Sequence, residues 1–283
     1  MSNIFVNGQA QTTISALDRG LLYGDSIFET IALLKGKPLM IDAHLNRLKK
    51  GIFTLGFNVD ISTLKQELGL FLKQPSLNLN QSKCVLRLTI TRSEQSRGYQ
   101  PIAGAPATRI LSLHDWPDYP EKLYSEGITM GVSDIHYAHQ PALAGIKHGN
   151  RLEQVLAAQS IPQHQDDVVM LDSKKHLISS SKGNLFIKIG QEWLTPDLTM
   201  CGINGVTRDA VLAHFSSTST LHSIAHIPLD ELTSKIDHIE AAFTCNSIMG
   251  IVPIKTLLDT SLHSVNECNA LRQTLLNSNI IAS

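Results

Sequence analysis

The chain predicts a mixed α and β fold (α+β with some α/β character) in two domains, a smaller N-terminal one followed by a larger C-terminal one. Three observations carry this. At 283 residues the chain exceeds one ordinary domain. Runs that alternate apolar and polar residues coexist with runs of helical period. These runs do not follow the regular strand-helix-strand rhythm of a doubly wound sheet.

Taken in order, Ile4, Phe5 and Val6 lead into Asn7-Gly8, a favoured two-residue turn, so the fold opens on a β-hairpin. Ile41, Leu45, Leu48, Ile52 and Leu55 recur at steps of four and three, which predicts a helix with Asp42 as a cap near its start and Gly56 as its stop. Leu64, Leu68, Phe71 and Leu72 predict a second helix ending in the region of Pro75. Cys84, Leu86, Leu88 and Ile90 alternate with Val85, Arg87, Thr89 and Thr91, a strand pattern, and Arg109 to Leu113 reads as another strand. The stretch 116–126 carries two prolines and no period, so the domains are assigned as 1–115 and 122–283, joined by a linker at 116–121. In the second domain, 128–132, 168–171, 185–189 and 241–244 read as strands, and 151–159, 206–215 and 266–276 as helices. No repeat or low-complexity tract interrupts them.

Lys and Arg number 24 against 25 Asp and Glu, a formal net charge of -1, with 42% hydrophobic residues. A binder of nucleic acid carries a basic excess and a disordered chain carries low hydrophobicity, so neither class fits. The opening residues lack a basic stretch followed by an apolar core, and no apolar run reaches the ~18–20 residues of a membrane span; a cytoplasmic protein is expected. Cys84, Cys201, Cys245 and Cys268 are scattered without CxxC spacing and the 12 His are dispersed, so no disulfide frame and no metal site are expected.

The common phosphate-loop, dinucleotide, nucleophile-elbow and zinc-protease signatures are all absent. Three local features remain. Gly202-Ile203-Asn204-Gly205-Val206-Thr207-Arg208 runs a glycine-bearing loop into a helix, where free backbone N–H groups and the helix dipole suit a phosphate; an ordinary helix start with Thr207 near the cap is the commoner meaning of such a pattern. His44 and Arg47 lie one turn apart beside an apolar stripe, and arginine's forked donors suit phosphate, although a solvated helix face has the same pattern. Lys147, at the approach to a helix, has the chemistry to attack a carbonyl if it loses its proton, but local pattern does not separate it from other lysines.

In chain order these segments resemble one enzyme family. Asp18-Arg19-Gly20-Leu21-Leu22-Tyr23-Gly24-Asp25 and Asn246-Ser247-Ile248-Met249-Gly250-Ile251-Val252-Pro253 bracket the similarity. The chain is similar to the fold-type IV enzymes that use pyridoxal 5'-phosphate (PLP), the family of branched-chain and D-amino-acid aminotransferases. Within it, Leu143-Ala144-Gly145-Ile146-Lys147-His148 and Asn150-Arg151-Leu152-Glu153-Gln154-Val155-Leu156 are most similar to the 4-amino-4-deoxychorismate lyases. The resemblance implies that Lys147 carries PLP covalently and then serves as catalytic base, and that Arg47 holds the cofactor phosphate. It implies that Gly205, Val206 and Thr207 give that phosphate backbone donors, with Thr244 and Cys245 at a strand end beside it. Thr30 is implied as a second catalytic group that moves a proton. Arg97 and Tyr99, in a loop that closes the site, and Asn246 are implied to meet substrate, while a surface-loop arginine is an equal reading of Arg97. The family also implies a homodimer and a small-molecule substrate.

One position departs from the pattern. Between Leu171 and Asn184 the lysine-bearing relatives place a glutamate on the pyridine nitrogen of PLP; this chain has Ser179, and 176–183 contains no acid. A carboxylate there favours the protonated pyridine, which draws electrons from the carbanion left when the α-proton departs, and a serine hydroxyl holds that charge less well. Transamination should suffer most. A lyase reaction that expels pyruvate and leaves an aromatic ring, 4-aminobenzoate for folate synthesis, should suffer less. The expected function is therefore the PLP-dependent lyase, with an aminotransferase of D- or branched-chain amino acids, or a catalytically weak PLP-binding protein, as the alternatives.

Overall fold

The computed structural model describes residues 3–74, 77, 79, 83–95, 97–263 and 265–282. The chain divides into two units, Met1–Pro117 with Ile146–Asn150, and Asp118–Gly145 with Arg151–Ser283. Residues 146–150 fall in the stretch that the sequence assigns to the C-terminal domain, yet they pair with a strand of the first unit.

The first unit holds β1 (Ile4–Val6), β2 (Gln9–Ala10), α1 (Arg19–Tyr23), β3 (Ser26–Leu34), β4 (Lys37–Pro38), α2 (Ile41–Leu55), α3 (Ile61–Leu72), β5 (Lys83–Thr91) and β6 (Thr108–Asp115). Asn7 and Gly8 both take positive φ, 51° and 78°, as a tight hairpin turn between β1 and β2 requires. The strands form one antiparallel sheet in the order β2-β1-β6-β5-β3-β4. Leu86, Leu88 and Ile90 point from β5 into a core shared with Leu45 and Leu48 of α2 and with Leu64, Leu68 and Phe71 of α3. Each such side chain contributes on the order of 1.5–3 kcal/mol. Gly56 ends α2 in the left-handed conformation (φ 65°), as read from the sequence. Asp42 does not cap this helix: Met40 occupies the cap without a side-chain bond, and Asp42 lies in the first turn, where its charge still favours the helix dipole. Asp60 caps α3 by accepting from the Ser62 and Thr63 N–H groups, and Pro75, the anticipated stop, lies outside the described residues.

The second unit holds α4 (Lys122–Ser125), β7 (Ile128–Val132), α5 (Leu152–Gln159), β8 (Asp167–Leu171), β9 (Leu177–Ser180), β10 (Asn184–Ile189), β11 (Glu192–Pro196), α6 (Val206–Ser217), β12 (His222–Ala225), α7 (Leu229–Ser234), β13 (Ile239–Asn246), β14 (Gly250–Leu257), β15 (Thr260–Ser261) and α8 (Val265–Asn277). Its sheet runs β12-β11-β10-β13-β14-β7-β8-β9, with β15 on β14. The pairs β11–β12, β14–β7 and β7–β8 are parallel, so parallel and antiparallel ladders mix within one sheet. One core packs Met130, Leu171, Leu185, Val252 and Ile254. Another packs Phe186, Trp193, Phe215 and Phe243 beneath α6 and α8, with the Phe186 and Phe243 rings stacked at 4.8 Å. Among the described residues no helix is long and apolar enough to cross a membrane, and no cluster of His, Cys, Asp and Glu could hold a metal ion.

Candidate active site

In the first unit, the segment bearing Lys147 lies alongside β3. The Phe28 N–H donates to the Lys147 carbonyl at 2.9 Å, and the Gly149 N–H donates to the Ser26 carbonyl at 2.7 Å. The bare backbone of Gly149 allows this close approach, since a Cβ there would fall 2.0 Å from Ser26 Oγ and 3.2 Å from the Gly24 carbonyl oxygen. This pairing carries the Lys147 side chain over Phe28, with Nζ 4.5 Å from the ring centroid. Successive strand residues point to opposite faces, so Phe28 and Thr30 share the face on which the amine stands. Arg87 lies opposite Thr30 in the β3–β5 register and sets its guanidinium 4.1 Å from the same ring. Burial pushes Arg87 below the usual arginine range, and among the described residues no carboxylate pairs with it. A half-buried cation without an anion is costly unless a ligand brings one.

The opposite face of β3 carries Glu29, whose side chain is buried. Arg47 donates to it through Nε at 2.8 Å and Nη2 at 2.5 Å, and His44 Nδ1 lies 2.7 Å from Oε2. Burial opposes the Glu29 charge, but the Arg47 hydrogen bonds and charge, with those of His44, outweigh it and hold the carboxyl below the usual carboxylate range. The fork of Arg47 is thereby held in one orientation.

In the second unit, Gly205 begins α6 without any side-chain cap, so the first N–H groups of the helix lack the partner that a Ser, Thr or Asp would give. Thr207 Oγ1 is buried and has no hydrogen-bond partner. Asn184 braces the loop by donating to the Ile203 carbonyl at 2.9 Å, and a Cβ on Gly205 would fall 2.0 Å from Asn184 Oδ1. Beside Asn184, Ser180 Oγ accepts from the Gly183 N–H at 2.9 Å and meets Thr244 Oγ1 at 3.0 Å. A Cβ on Gly183 would clash with the Thr244 hydroxyl at 2.4 Å. Uncapped N–H groups, an unpartnered buried hydroxyl and glycines that let backbone approach closely form a cradle whose chemistry fits a phosphate.

Two candidates at this strand end have their side chains committed elsewhere. The Cys245 thiol packs into the core with Phe186 and Phe243, where burial pushes it up to about 12, so only its main chain is left for a ligand. The Asn246 amide donates to the Lys182 carbonyl and accepts from the Ile248 and Met249 N–H groups, closing the turn between β13 and β14. Ser179 is buried on β9. Its Oγ donates to the Ser180 carbonyl at 2.8 Å and lies 2.9 Å from the Tyr137 hydroxyl. The single serine proton is thus spent, and Tyr137 is the donor in the second bond. Burial pushes the Tyr137 phenol above its ordinary value, against the opposing Ser179 bond, so it keeps its proton.

Arg97 and Tyr99 are exposed, and Ser96 beside them lies outside the described residues. The structure thus brings Lys147 together with Thr30 in the first unit, and Gly205 and Thr207 with the Asn184 brace in the second. Arg87, Glu29 and Tyr137 were not read from the sequence. For Arg87 the local pattern misleads: a charged residue alternating with Leu86 and Leu88 reads as the solvent face of a strand.

Residues 26–257 match the family model described as Amino-transferase class IV. Over 251 residues the chain is 30% identical to aminodeoxychorismate lyase of Vibrio harveyi, covering 88% of this chain and 89% of that one. It is 28% identical to a putative branched-chain-amino-acid aminotransferase of Methanocaldococcus jannaschii, covering 74% and 73%. The crystal structure of 4-amino-4-deoxychorismate lyase from Pseudomonas aeruginosa superposes with a TM-score of 0.90 at 33% identity, covering 98% of this chain and 100% of that one.

Proposed function

The chain belongs to the class IV aminotransferase family, and we propose that within it the protein is a PLP-dependent lyase that converts 4-amino-4-deoxychorismate to 4-aminobenzoate and pyruvate. The observation that carries this reading is the pairing of 146–150 with β3, which sets the Lys147 amine on the same strand face as the Thr30 hydroxyl. An amine and a hydroxyl so arranged suit a proton taken from one carbon of the substrate and returned to another. The near full-length likeness to lyases from two other organisms supports the same choice.

When bound, PLP supplies the electron sink that makes the proton beside the substrate amine removable. Lys147 would be its covalent anchor. With the substrate amine in its place on the cofactor, the Lys147 amine would be free to take the proton from the amine-bearing carbon. The ring–oxygen bond then breaks, its electrons leave with the enolpyruvyl group, and the ring becomes aromatic. Lys147, with Thr30, returns the proton to the methylene carbon of the departing fragment, which leaves as pyruvate. Val206 and Thr207 at the head of α6 and Thr244 on β13 would hold the phosphate, whereas Arg47, for which the family resemblance implies the same role, has its Nε and Nη2 committed to Glu29. Arg87 and Arg97 are the cations available to the substrate carboxylates. Ser179 would stand at the ring nitrogen in place of a carboxylate, which would disfavour transamination more than a reaction driven by aromatisation.

The reading also takes the protein to act as a homodimer. Leu21, Leu22 and Tyr99 in the first unit, and Leu152, Val155 and Leu156 along α5 in the second, are exposed apolar side chains of the kind that a partner subunit covers. The likeness to an aminotransferase sequence favours amino-group transfer as a second reading. Purified protein supplied with PLP and 4-amino-4-deoxychorismate should release 4-aminobenzoate and pyruvate in equal amounts and retain PLP. Accumulation of the amine form of the cofactor with a keto acid would select the aminotransferase. Cofactor binding with neither product would select a catalytically weak PLP-binding protein.

A further inference from the structure

Arg19 is a buried arginine spent on the loop that carries Arg97. Its side chain is 4% exposed, and its Nε donates to Asp25 Oδ2 at 3.2 Å. The remaining fork is turned onto two consecutive carbonyls, Nη1 to Gly98 O at 2.6 Å and Nη2 to Tyr99 O at 2.8 Å. Its guanidinium also lies 4.8 Å from the Tyr23 ring centroid, and that ring meets Tyr99 edge to face at 5.5 Å. Asp25 is gripped from the other side by Arg92, which reaches on to the carbonyls of Leu55 and Gly56 at the end of α2. Asp18 fixes the start of α1 by accepting from the Gly20 N–H and from the Thr91 hydroxyl. Through these bonds an otherwise exposed segment is tied to the sheet.

We infer that Arg19 is a positioning residue: its two charge-assisted bonds to Gly98 and Tyr99 hold the segment that presents Arg97 to a substrate carboxylate. The inference rests on the proposed function for the role of Arg97, and on the geometry alone for the latch. A planar fork is needed, because two carbonyls one residue apart are met by two donors at fixed spacing and a single ammonium cannot hold both in line. Burial strengthens the device, since these bonds face little competition from water. Arg19 acts through the loop and touches no reacting atom.

Arg19→Lys, loaded with PLP, is compared with the parent in two ways. Hydrogen–deuterium exchange of the peptide spanning 97–104 should be faster by about tenfold, with β13 unchanged, as follows when two bonds that protect a loop are lost. KM for 4-amino-4-deoxychorismate should rise by about tenfold with kcat altered less than about threefold, and the rise should vanish in an Arg97→Gln background, because the two residues then act in series. Unchanged loop exchange overturns the latch. Additive effects of Arg19→Lys and Arg97→Gln overturn its action through Arg97. A parent protein that makes no 4-aminobenzoate removes the substrate reading and leaves the exchange comparison to decide the latch. If Arg19→Lys does not fold, Asp25→Asn loosens the same arginine from its other end and is read by the same two measurements.

Discussion

Tyr137 and Ser179 meet hydroxyl to hydroxyl at 2.9 Å in the interior of the second unit, where Ser179 has already given its proton to the Ser180 carbonyl. Tyr137 therefore donates, and Ser179 Oγ keeps one lone pair and no proton to offer. Neither group carries a charge that could hold a protonated pyridine nitrogen.

Under the proposed function, a carboxylate at position 179 would supply the charge that Ser179 lacks. Ser179→Glu, combined with Tyr137→Phe to make room and remove the competing donor, should raise the rate at which an amino acid such as D-alanine converts bound PLP to its amine form by at least roughly tenfold. The spectrum of the bound cofactor follows this directly. No gain would show that the serine is not what limits transamination in this chain.

Arg87 should be felt in substrate binding more than in folding. Its guanidinium rests over Phe28 with no carboxylate partner among the described residues, so Arg87→Gln removes an uncompensated charge and should leave thermal stability unchanged or slightly raised. KM for a dicarboxylate substrate should rise roughly 10–100-fold while kcat falls less, the pattern of a lost ground-state contact. An unchanged KM with a large loss of stability would make Arg87 a structural residue.

Glu29 and Arg47 link stability to pH. The folded carboxyl lies below the ordinary glutamate value of 4.5 because Arg47 and His44 outweigh burial. The pair's contribution is therefore complete above that value and is lost as pH falls through the lower folded one. In Arg47→Met the carboxylate keeps its burial and loses its main partner, so the variant should be about 3–5 kcal/mol less stable near neutrality. The rise in urea midpoint from about pH 3 to about pH 6 should then be flatter than in the parent, because the depressed value is no longer held down. A parallel pair of pH curves would mean that the ion pair does not set the acid limb.

How much of this was legible in the chain follows from periodicity. The stripe Ile41 to Leu55 and the alternation Cys84 to Ile90 face the same core, each from one side, and emerged as α2 and β5. The strand that carries the site, β3, escaped notice because its two faces are both largely covered: Ile27, Ile31 and Leu33 fill the core while Ala32 is buried opposite, so no polar–apolar alternation survives. β14, buried nearly throughout and containing Pro253, hid for the same reason. The loop-to-helix junction at 202–208 was legible because its residues are contiguous. Site chemistry was not legible where partners meet across the fold, as Glu29 does with Arg47, and Tyr137 with Ser179. Lys147 shows the limit most clearly: its place against Phe28 depends on a five-residue segment leaving the second unit's sequence neighbourhood to pair with β3, which no local pattern encodes.

Thr207 offers a test in which two readouts move in opposite directions. Its hydroxyl is buried without a partner, and leaving such a group unsatisfied costs about 1–3 kcal/mol. Valine has the same shape without the polar atom, so cofactor-free Thr207→Val should be more stable than the parent by about 1 kcal/mol, read as a higher urea midpoint with unchanged slope. A phosphate at the head of α6 would satisfy that hydroxyl, so the same substitution should weaken the affinity for PLP by roughly tenfold, the worth of one hydrogen bond to a charged group. Inorganic phosphate, which has no aldehyde to react with Lys147, should protect the cofactor-free parent from urea more than it protects the variant. A merely structural threonine predicts another pattern, with stability and affinity falling together or affinity not moving at all. Higher stability combined with weaker binding is the signature of a hydroxyl kept unsatisfied for a ligand.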